Sequence, residues 1–311
     1  MNKPQASQPA PEFYDQDDSD NVCFLCGEPR YTVKYRVTHF GFPFTFKQCQ
    51  CGLIKQTPMP NKRFFEWFFN SELFISAKQT NTRNIWGFYD YFKDEPCRLA
   101  TSRYRYKKLK AVFDGGKPLE ILKIGPSTGT FLYVANQNGH HAIGCDVSTQ
   151  FVSYAQDKYG VHIDNGRFEH MGYADDQFDV IILFNVIENI PNQEEFLAAV
   201  RKKLKPNGYF ILNHVDVKHN IIEKIQKEKY FMCRPPICYM YSTDVLDRVL
   251  GKFGFSVEHR YLDIRYLHLE KILSLLGWYA PLKILRMLKV HQITFPIYAY
   301  PSRITVARLG K

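Results

Sequence analysis

A glycine-rich turn and a carboxylate downstream of it have the spacing of a ligand site. The apolar run 119–124 predicts a buried strand, and it breaks at Gly125-Pro126-Ser127-Thr128-Gly129. A helical pattern follows, and then a short second strand over 142–145 that ends at Asp146. Glycines let the backbone approach a ligand at a helix N-terminus, and a carboxylate about 20 residues further on can accept both ribose hydroxyls. The unit predicts a site for a nucleotide-like ligand, with an ordinary strand–helix turn as the alternative.

Four cysteines near the N-terminus form two close pairs. Cys23 and Cys26 belong to a Cys-x-x-Cys-Gly sequence, and Cys49 and Cys51 to a Cys-x-Cys-Gly sequence. Two such pairs are typical of a zinc ribbon, in which a tetrahedral Zn²⁺ replaces a hydrophobic core. The spacing predicts a zinc ribbon over 21–60. Cysteines packed in a small core without metal are the alternative, and His39 is a further candidate ligand.

Alternating strand and helix patterns predict the sheet that positions these residues. Parallel strands are expected near 119–124, 142–145, 161–164, 178–184 and 208–213. Helices are expected over Glu194–Leu204 and Thr243–Phe253, with a sixth strand opening at Gly254 and an antiparallel seventh at Arg303–Arg308. His214, Asp216 and His219 follow the fifth strand, where open α/β sheets bind ligands. We therefore expect them on the substrate side.

Two downstream stretches complete a family pattern. They are Gln177-Phe-Asp-Val-Ile-Ile-Leu-Phe-Asn-Val-Ile-Glu-Asn-Ile190 and Leu204-Lys-Pro-Asn-Gly-Tyr-Phe-Ile-Leu212. In this order the motifs resemble the bacterial class I S-adenosylmethionine-dependent methyltransferases that carry an N-terminal zinc ribbon, over about 100–263. The resemblance implies an α/β fold with a Rossmann-like seven-stranded sheet in a domain over 115–311. It also implies a helical cap over 61–114 and a helical insertion at about 265–300, before the last strand.

The resemblance further implies S-adenosylmethionine as cofactor. The glycine-rich turn would wrap its methionine part, Asp146 would hold the ribose, and the stretch after 184 would form the floor beneath the sulfonium. The cofactor-binding residues expected on this basis are Gly125, Pro126, Ser127, Thr128, Gly129, Phe131, Asp146, Val147, Arg167, Phe168, Asn185 and Val186. Glu188 or His214 is the expected catalytic base. Burial of Phe168 against the neighbouring helix, and a turn-capping role for Glu188, are the alternatives. Some cap aromatics, such as Tyr89 and Tyr91, could line a substrate pocket.

Several residues depart from the family pattern. Lys123 stands where the family usually has Glu or Asp, Ser127 replaces a glycine of the turn, and Asn189 replaces the histidine of a Glu-His pair. A side chain at the middle of a Gly-x-Gly-x-Gly turn costs backbone freedom and room. In the ribbon, Gln48 holds the usual ligand position, so Cys49 would serve from the next one. Because of these changes, a non-catalytic relative that binds the cofactor or a partner without chemistry is a third hypothesis.

Composition bounds the function. The net charge of +10 and pI near 9.1 would suit nucleic acid, an acidic substrate or an anionic membrane surface, or simply a solvated basic surface. The leading hypothesis is an enzyme, a methyltransferase acting on a small molecule such as a sugar or biosynthetic intermediate. An RNA methyltransferase is the second hypothesis, but the chain lacks an Asn/Asp-Pro-Pro-Tyr motif and any RNA-binding module. Nucleic acid is therefore disfavoured as a partner.

The ends and apolar stretches suggest where the protein works. Residues 1–20 are rich in Pro, Gln and Asp, which predicts a disordered leader and no secretory signal. The apolar stretch Ile272–Leu282 is about half of the roughly 20 residues that a membrane-spanning helix needs. Clustered thiols fit a reducing cytoplasm. Peripheral membrane contact through 267–290 is a rival interpretation of the insertion, and the oligomeric state is not predicted.

Overall fold

The cysteine-bearing segment forms a small antiparallel sheet. The computed structural model describes residues 11–15, 22–39, 42–75, 91–113, 115–218, 221–275, 293–298 and 301–310. Strands β1 (Tyr31–His39), β2 (Phe42–Cys49) and β3 (Ile54–Thr57) pair antiparallel in that order. Each hairpin connection is short, so the two cysteine pairs lie at the same end of the sheet.

Helices follow this small sheet. They are α1 (Lys62–Asn70), α2 (Glu72–Ile75), α3 (Glu95–Lys108) and α4 (Lys110–Phe113). Helix α1 begins after Asn61, whose side chain accepts hydrogen bonds from the backbone N–H groups of Arg63 and Phe64 and so caps the first turn. It buries Phe64, Phe65 and Phe68. These three aromatic residues of the cap belong to the hydrophobic core.

The remaining elements build the main sheet and its covering helices. They are β4 (Glu120–Ile124), α5 (Thr130–Gln137), β5 (His141–Asp146), α6 (Thr149–Tyr159), β6 (Ile163–Asn165), β7 (Phe178–Leu183), α7 (Gln193–Lys203), β8 (Leu204–Val215), α8 (Ile221–Gln226), β9 (Tyr239–Met240), α9 (Thr243–Lys252), β10 (Phe255–Leu262), β11 (Arg265–His268), α10 (Leu269–Leu275), β12 (Thr294–Ile297) and β13 (Ser302–Leu309).

The main sheet has seven strands in the order β10-β13-β8-β7-β4-β5-β6. Strands β4 to β8 run parallel, and β13 pairs antiparallel with both β8 and β10. The chain leaves β4 toward β5 and β6, and then returns to β7 on the other side of β4. This reversal is the topological switch point, where open α/β sheets form their ligand crevice. The predicted seven-stranded sheet and its antiparallel last strand are confirmed.

Alternate residues of each central strand enter two different cores. Leu122 of β4 and Leu212 of β8 lie in the core under α7 and α9. Ile121 and Ile211, one position earlier, lie in the core on the side of α5. Because side chains alternate along a strand, the same alternation determines which polar residues at the strand ends lie on the same face of the sheet.

The structure adds two features that the sequence did not indicate. Strand β9 pairs antiparallel with β3, so the small N-terminal sheet is completed by a strand from beyond β8. Within the predicted disordered leader, residues 11–15 are described, and there Tyr14 is buried and stacks on Phe42 with ring centroids 4.3 Å apart. This part of the leader packs against the ribbon, in contrast to the prediction.

The insertion before β13 contains more than helix. Strands β11 and β12 form an antiparallel hairpin, and α10 follows β11 directly. The greater part of the segment proposed to contact a membrane, 276–290, lies outside the described residues. Among the residues that the structure describes, no helix is long and apolar enough to cross a bilayer.

Candidate cofactor site and metal centre

The glycine-rich turn after β4 is held in a conformation that suits close approach of a ligand. Gly125 and Gly129 have φ of +63° and +77°, in the left-handed region. A Cβ on Gly129 would lie 2.8 Å from the side chains of Ala155 and Val161, so glycine is required for packing as well. Ser127 also has positive φ, at 55°, and its Oγ donates a hydrogen bond to the Tyr91 hydroxyl at 2.8 Å. This hydrogen bond links the serine to the cap segment, residues 61–114.

Asp146 ends β5 beside this turn. Its Oδ2 accepts from the Ser127 N–H and its Oδ1 from the Ser148 N–H, both at 3.0 Å. Burial raises the pKa of Asp146, while these hydrogen bonds oppose that rise. Asn70, the last residue of α1, donates to the Val147 carbonyl at 3.1 Å and so fixes the following loop. Each carboxylate oxygen keeps acceptor capacity for a further donor.

Lys123 lies beneath the turn. It is buried, its Nζ donates to the Gly125 carbonyl at 3.3 Å, and it sits 5.0 Å from the ring centroid of Phe184. Burial, reinforced by the positive charge of Arg105, lowers the pKa of Lys123 to about 7. The lysine therefore bonds its own loop, and it loses its charge as the pH rises through about 7.

A polar network lies at the carboxyl ends of β7 and β8. Asn185, with φ of 59°, donates its N–H to Asn213 Oδ1 at 2.6 Å, and Asn213 Nδ2 donates to Asp263 Oδ2, also at 2.6 Å. Arg105 of α3 binds the Asp263 carboxylate through two hydrogen bonds of 2.8 Å. Arg265 of β11 donates to Asn185 Oδ1 at 2.5 Å. The network joins the cap, the sheet and the insertion at one edge.

Comparison with known proteins decides the family. Residues 93–260, more than half of the chain, match the model of a family described as a methyltransferase domain. The chain belongs to the class I methyltransferases. The family model covers β4 to β8, which carry the turn, Asp146 and Asn185.

Individual relatives and solved structures are similar to parts of this chain. A ubiquinone biosynthesis O-methyltransferase of Rickettsia bellii is 26% identical over 126 residues, which are 39% of this chain and 51% of that protein. A hybrid PKS-NRPS synthetase of Aspergillus flavus is 23% identical over 138 residues, 40% of this chain and 4% of that protein. A SAM-dependent methyltransferase of Archaeoglobus fulgidus superposes with a TM-score of 0.48 and 14% identity, covering 70% of this chain and 98% of that one. The chain thus spans about half or less of these two curated relatives.

Several expected cofactor residues of this methyltransferase converge at the switch point. Gly125 follows β4, Asp146 ends β5, and Asn185 and Val186 follow β7. A Cβ on Gly125 would lie 2.7 Å from Val186 Cγ2, so the two loops are in contact. Pro126 and Thr128 are buried inside the turn. The backbone of the turn, rather than these two side chains, faces the crevice.

The rings of two residues expected at the cofactor site, Phe131 and Phe168, are buried in the hydrophobic cores. Phe131 is buried in the core on the α5 side and packs edge to face on Phe184, 5.5 Å away. Phe168 is buried and packs edge to face on Phe196 of α7 at 5.6 Å, which is the alternative that the sequence left open. Arg167 donates to Glu169 at 3.0 Å, so its guanidinium is engaged within its own turn. These rings build the walls behind the site.

Glu188 lies in the turn after β7. Its side chain is buried, and its Oε1 accepts from the Val215 N–H at 3.1 Å. Burial raises the pKa of Glu188 to about 7, and backbone hydrogen bonds together with the charge of Arg265 oppose the rise. Asn189 cannot act as a base, and its amide donates to the Asn185 carbonyl at 3.3 Å. A carboxylate with this pKa is suited to proton transfer near neutral pH.

His214, the other candidate base, is buried beside α9. It points to the opposite face of β8 from Asn213, is 1% exposed, and its Nε2 lies 3.3 Å from Thr243 Oγ1 of α9. Burial lowers its pKa to about 4. Thr243 in turn donates to Asp216 at 2.7 Å, so both polar residues at this strand end link the sheet to α9. His219 lies outside the described residues.

The four ribbon cysteines form a compact cluster. Their sulfur atoms lie within 4.8 Å of one another, with 3.6 Å between Cys23 and Cys51 and 3.5 Å between Cys26 and Cys49. Sulfurs bound to one tetrahedral Zn²⁺ at about 2.3 Å lie about 3.8 Å apart. The cluster therefore fits a zinc ion, and four thiolates complete the set without His39. The Cys-x-Cys pair reaches the same point as the usual Cys-x-x-Cys pair.

Some residues of the site had no signal in the sequence. Arg105 and Asp263 lie 158 positions apart and belong to no motif, and Asn70 acts from the end of a cap helix. Tyr91, one of the cap aromatics proposed to line a pocket, contacts Ser127, whereas Tyr89 lies outside the described residues. Position relative to a motif identifies the cofactor loops, but not the residues that brace them.

Proposed function

We propose that this protein transfers a methyl group from S-adenosylmethionine to a small-molecule acceptor. The observation that carries the proposal is the meeting of the glycine-rich turn, Asp146 and Asn185 at the switch point of a class I methyltransferase sheet. The names of the curated relatives, a ubiquinone biosynthesis O-methyltransferase and a hybrid PKS-NRPS synthetase, support a small molecule over RNA.

The donor set fits the cofactor. Asp146 has acceptor capacity for the ribose hydroxyls, and the left-handed turn from Gly125 to Gly129 brings backbone close to the methionine part. Bound S-adenosylmethionine supplies a methyl carbon that is already electrophilic. The protein therefore contributes mainly orientation, since holding two reactants in line can supply much of the rate.

Glu188 is the residue that we assign to proton removal. If the acceptor is a hydroxyl or an acidic carbon, a proton must leave, and a positioned base contributes roughly 10²–10⁴-fold. With a pKa of about 7, Glu188 is partly deprotonated at neutral pH. The His214 imidazole lies against Thr243 of α9, and its pKa of about 4 makes it a weaker base at neutral pH.

The ribbon is proposed to hold one structural Zn²⁺. Four sulfur ligands leave no open coordination position, and closed sites of this kind stabilise a fold rather than act on substrate. A cytoplasmic location, where the thiols stay reduced, belongs to the same proposal.

The function is tested by following S-adenosylhomocysteine formation from S-adenosylmethionine. Wild type, Glu188→Gln and the exposed control Glu258→Gln would be assayed on hydroxylated aromatics, sugars and a structured RNA across pH. Transfer to a small molecule is expected, with a rate that rises with pH through about 7, because the Glu188 carboxyl must lose its proton. Glu188→Gln should lower turnover by about 10²-fold or more and leave S-adenosylhomocysteine affinity unchanged.

Two outcomes would contradict the proposal. Methyl transfer to RNA but to no small molecule would show that the acceptor is RNA. Full activity of Glu188→Gln with an unchanged pH profile would show that transfer proceeds by proximity alone.

A further inference from the structure

The network at the carboxyl ends of β7 and β8 contains one carboxylate and two arginines. Asp263 is fully buried as a side chain and is bound bidentately by Arg105, whose side chain is 9% exposed. Asp263 also accepts from Asn213 at 2.6 Å and from Ser302 at 3.3 Å. Burial alone would raise its pKa, but Arg105, Arg265 and these hydrogen bonds hold the pKa of Asp263 below its usual value. This negative charge is neutralised by Arg105.

Arg265 is the surplus cation. Its Nε lies 3.8 Å from Asp263 Oδ2, beyond hydrogen-bond distance, and its side chain is 31% exposed. Its hydrogen bond to Asn185 is made to a neutral amide oxygen, which offers no compensating charge. A guanidinium has five N–H donors in a planar fork, and bidentate partners for it are carboxylate or phosphate. At its exposed side the network therefore ends in Arg265, which shares the Asp263 carboxylate, at 3.8 Å, with the Arg105 guanidinium that already binds it bidentately.

The amide bonded to Arg265 has only donor capacity left. Asn185 Oδ1 already accepts from Arg265 and from Asn213 Nδ2, the latter at 3.1 Å. What Asn185 has left is its own NH₂ group. An amide nitrogen and a guanidinium together select an oxygen acceptor with negative charge and disfavour an amine.

Arg265 and Asn185 lie at the edge of the sheet where we expect the methyl acceptor to bind. Asn185 follows β7 at the switch point, and the charge of Arg265 is close enough to Glu188 to oppose the burial-driven rise of its pKa. In the cap, the Arg98 guanidinium lies 3.6 Å from the ring centroid of Tyr91, whose hydroxyl is bonded to Ser127 of the glycine-rich turn. A separate cation thus lies beside the loop expected to hold the cofactor's methionine part.

We propose that Arg265 and the Asn185 amide bind an oxyanion of the methyl acceptor, so that the substrate is a small molecule bearing a carboxylate or a phosphate. This inference rests on the proposed methyl transfer for its biological meaning, but the anion site is a property of the residues themselves. Arg265 then determines specificity, and an anion bound to it stands near the candidate base.

The test titrates benzoate and inorganic phosphate into the protein, with and without saturating S-adenosylhomocysteine, and follows the arginine Nε–H signals by NMR. Arg265→Gln is compared with Arg265→Lys and with Arg308→Gln, the same change at the far end of β13 where the side chain is 44% exposed. Wild type should bind one of the two anions. Arg265→Gln should weaken that binding by about tenfold or more, because a charged hydrogen-bond pair is lost. Arg265→Lys should retain part of it, and Arg308→Gln all of it.

Affinity for S-adenosylhomocysteine separates the two proposals. It should be the same in wild type and all three variants. A large loss in Arg265→Gln would show that Arg265 serves the cofactor's carboxylate and would overturn the acceptor site. Equal anion affinity in wild type and Arg265→Gln, or no anion binding by wild type, would also overturn it. Absence of cofactor binding in wild type would instead overturn the proposed function, while the titration without cofactor still decides the anion site. Preference for benzoate or phosphate identifies the class of anion.

Discussion

At the scale of single residues, the departures from the family pattern have local explanations. Ser127 adopts a left-handed conformation in spite of its side chain, and its hydrogen bonds to Asp146 and Tyr91 offset the strain. Lys123 donates a hydrogen bond to the Gly125 carbonyl. The serine keeps the backbone N–H groups of the turn, whereas the lysine removes a carboxylate acceptor that the family usually offers the cofactor, so a non-catalytic relative stays an alternative.

The buried lysine should make stability depend on pH. Its pKa is about 7 in the folded protein and 10.5 ordinarily, so within that window the unfolded chain binds a proton that the folded chain does not. Stability contributed by this group therefore rises with pH, at up to about 1.4 kcal/mol per pH unit. Lys123→Met should flatten the curve of unfolding free energy against pH, measured by chemical denaturation. Lys117→Met, at an exposed position, is the control. Parallel curves for wild type and Lys123→Met would contradict the assignment.

At the scale of elements, the ribbon and the methyltransferase sheet share a helix and a strand. Helix α9 lies against the cysteine knuckles: Arg248 donates to the Cys51 carbonyl and Lys252 to the Phe24 carbonyl. Strand β9 extends β3, and Cys49 and Val245 belong to one hydrophobic core. Loss of metal should therefore destabilise α9 as well as the ribbon itself.

Zinc removal tests this coupling. Elemental analysis should give about one zinc per chain, because four thiolates make one closed site. Cys26→Ser should lose the metal, while Cys97→Ala, at a buried cysteine outside the cluster, should keep it. Hydrogen exchange in Cys26→Ser should rise in β1 to β3 and in α9, and less in β4 and β5. A folded wild type without zinc would exclude the ribbon, and exchange confined to the ribbon would exclude the coupling.

At the scale of the whole molecule, the sequence predicts the strands and the cysteine pairs, which have local patterns. It does not predict contacts between residues that are distant in the sequence. Buried runs bounded by turns locate β4 and β7 within a residue or two, because a strand buried on both faces is continuously apolar. The cysteine spacing likewise locates the cluster of four sulfur atoms. The Arg105–Asp263 pair could not be predicted, since only the sheet order brings α3 next to the end of β10.

The expected site residues with buried side chains illustrate why a sequence pattern does not fix the face of a strand or turn. His214 and Asn213 are neighbours in sequence, yet strand alternation sends one into the core under α9 and the other into the polar network. Phe131 and Phe168 follow expected ligand loops, but their rings turn into opposite cores. The position of a residue in the sequence predicts that it lies at the edge of the sheet. A shift of one residue along the strand, however, moves its side chain to the opposite face.

The central claim is that the cofactor binds at the switch point through Asp146. Calorimetric titration with S-adenosylhomocysteine should show binding to wild type and at least tenfold weaker binding to Asp146→Ala, because charged hydrogen bonds are worth roughly 1.5–3 kcal/mol each. Asp146→Asn, which keeps the size of the side chain, should be intermediate, and Asp175→Ala, on an exposed turn, should match wild type. Equal affinity of wild type and Asp146→Ala, or no binding to wild type, would contradict the account.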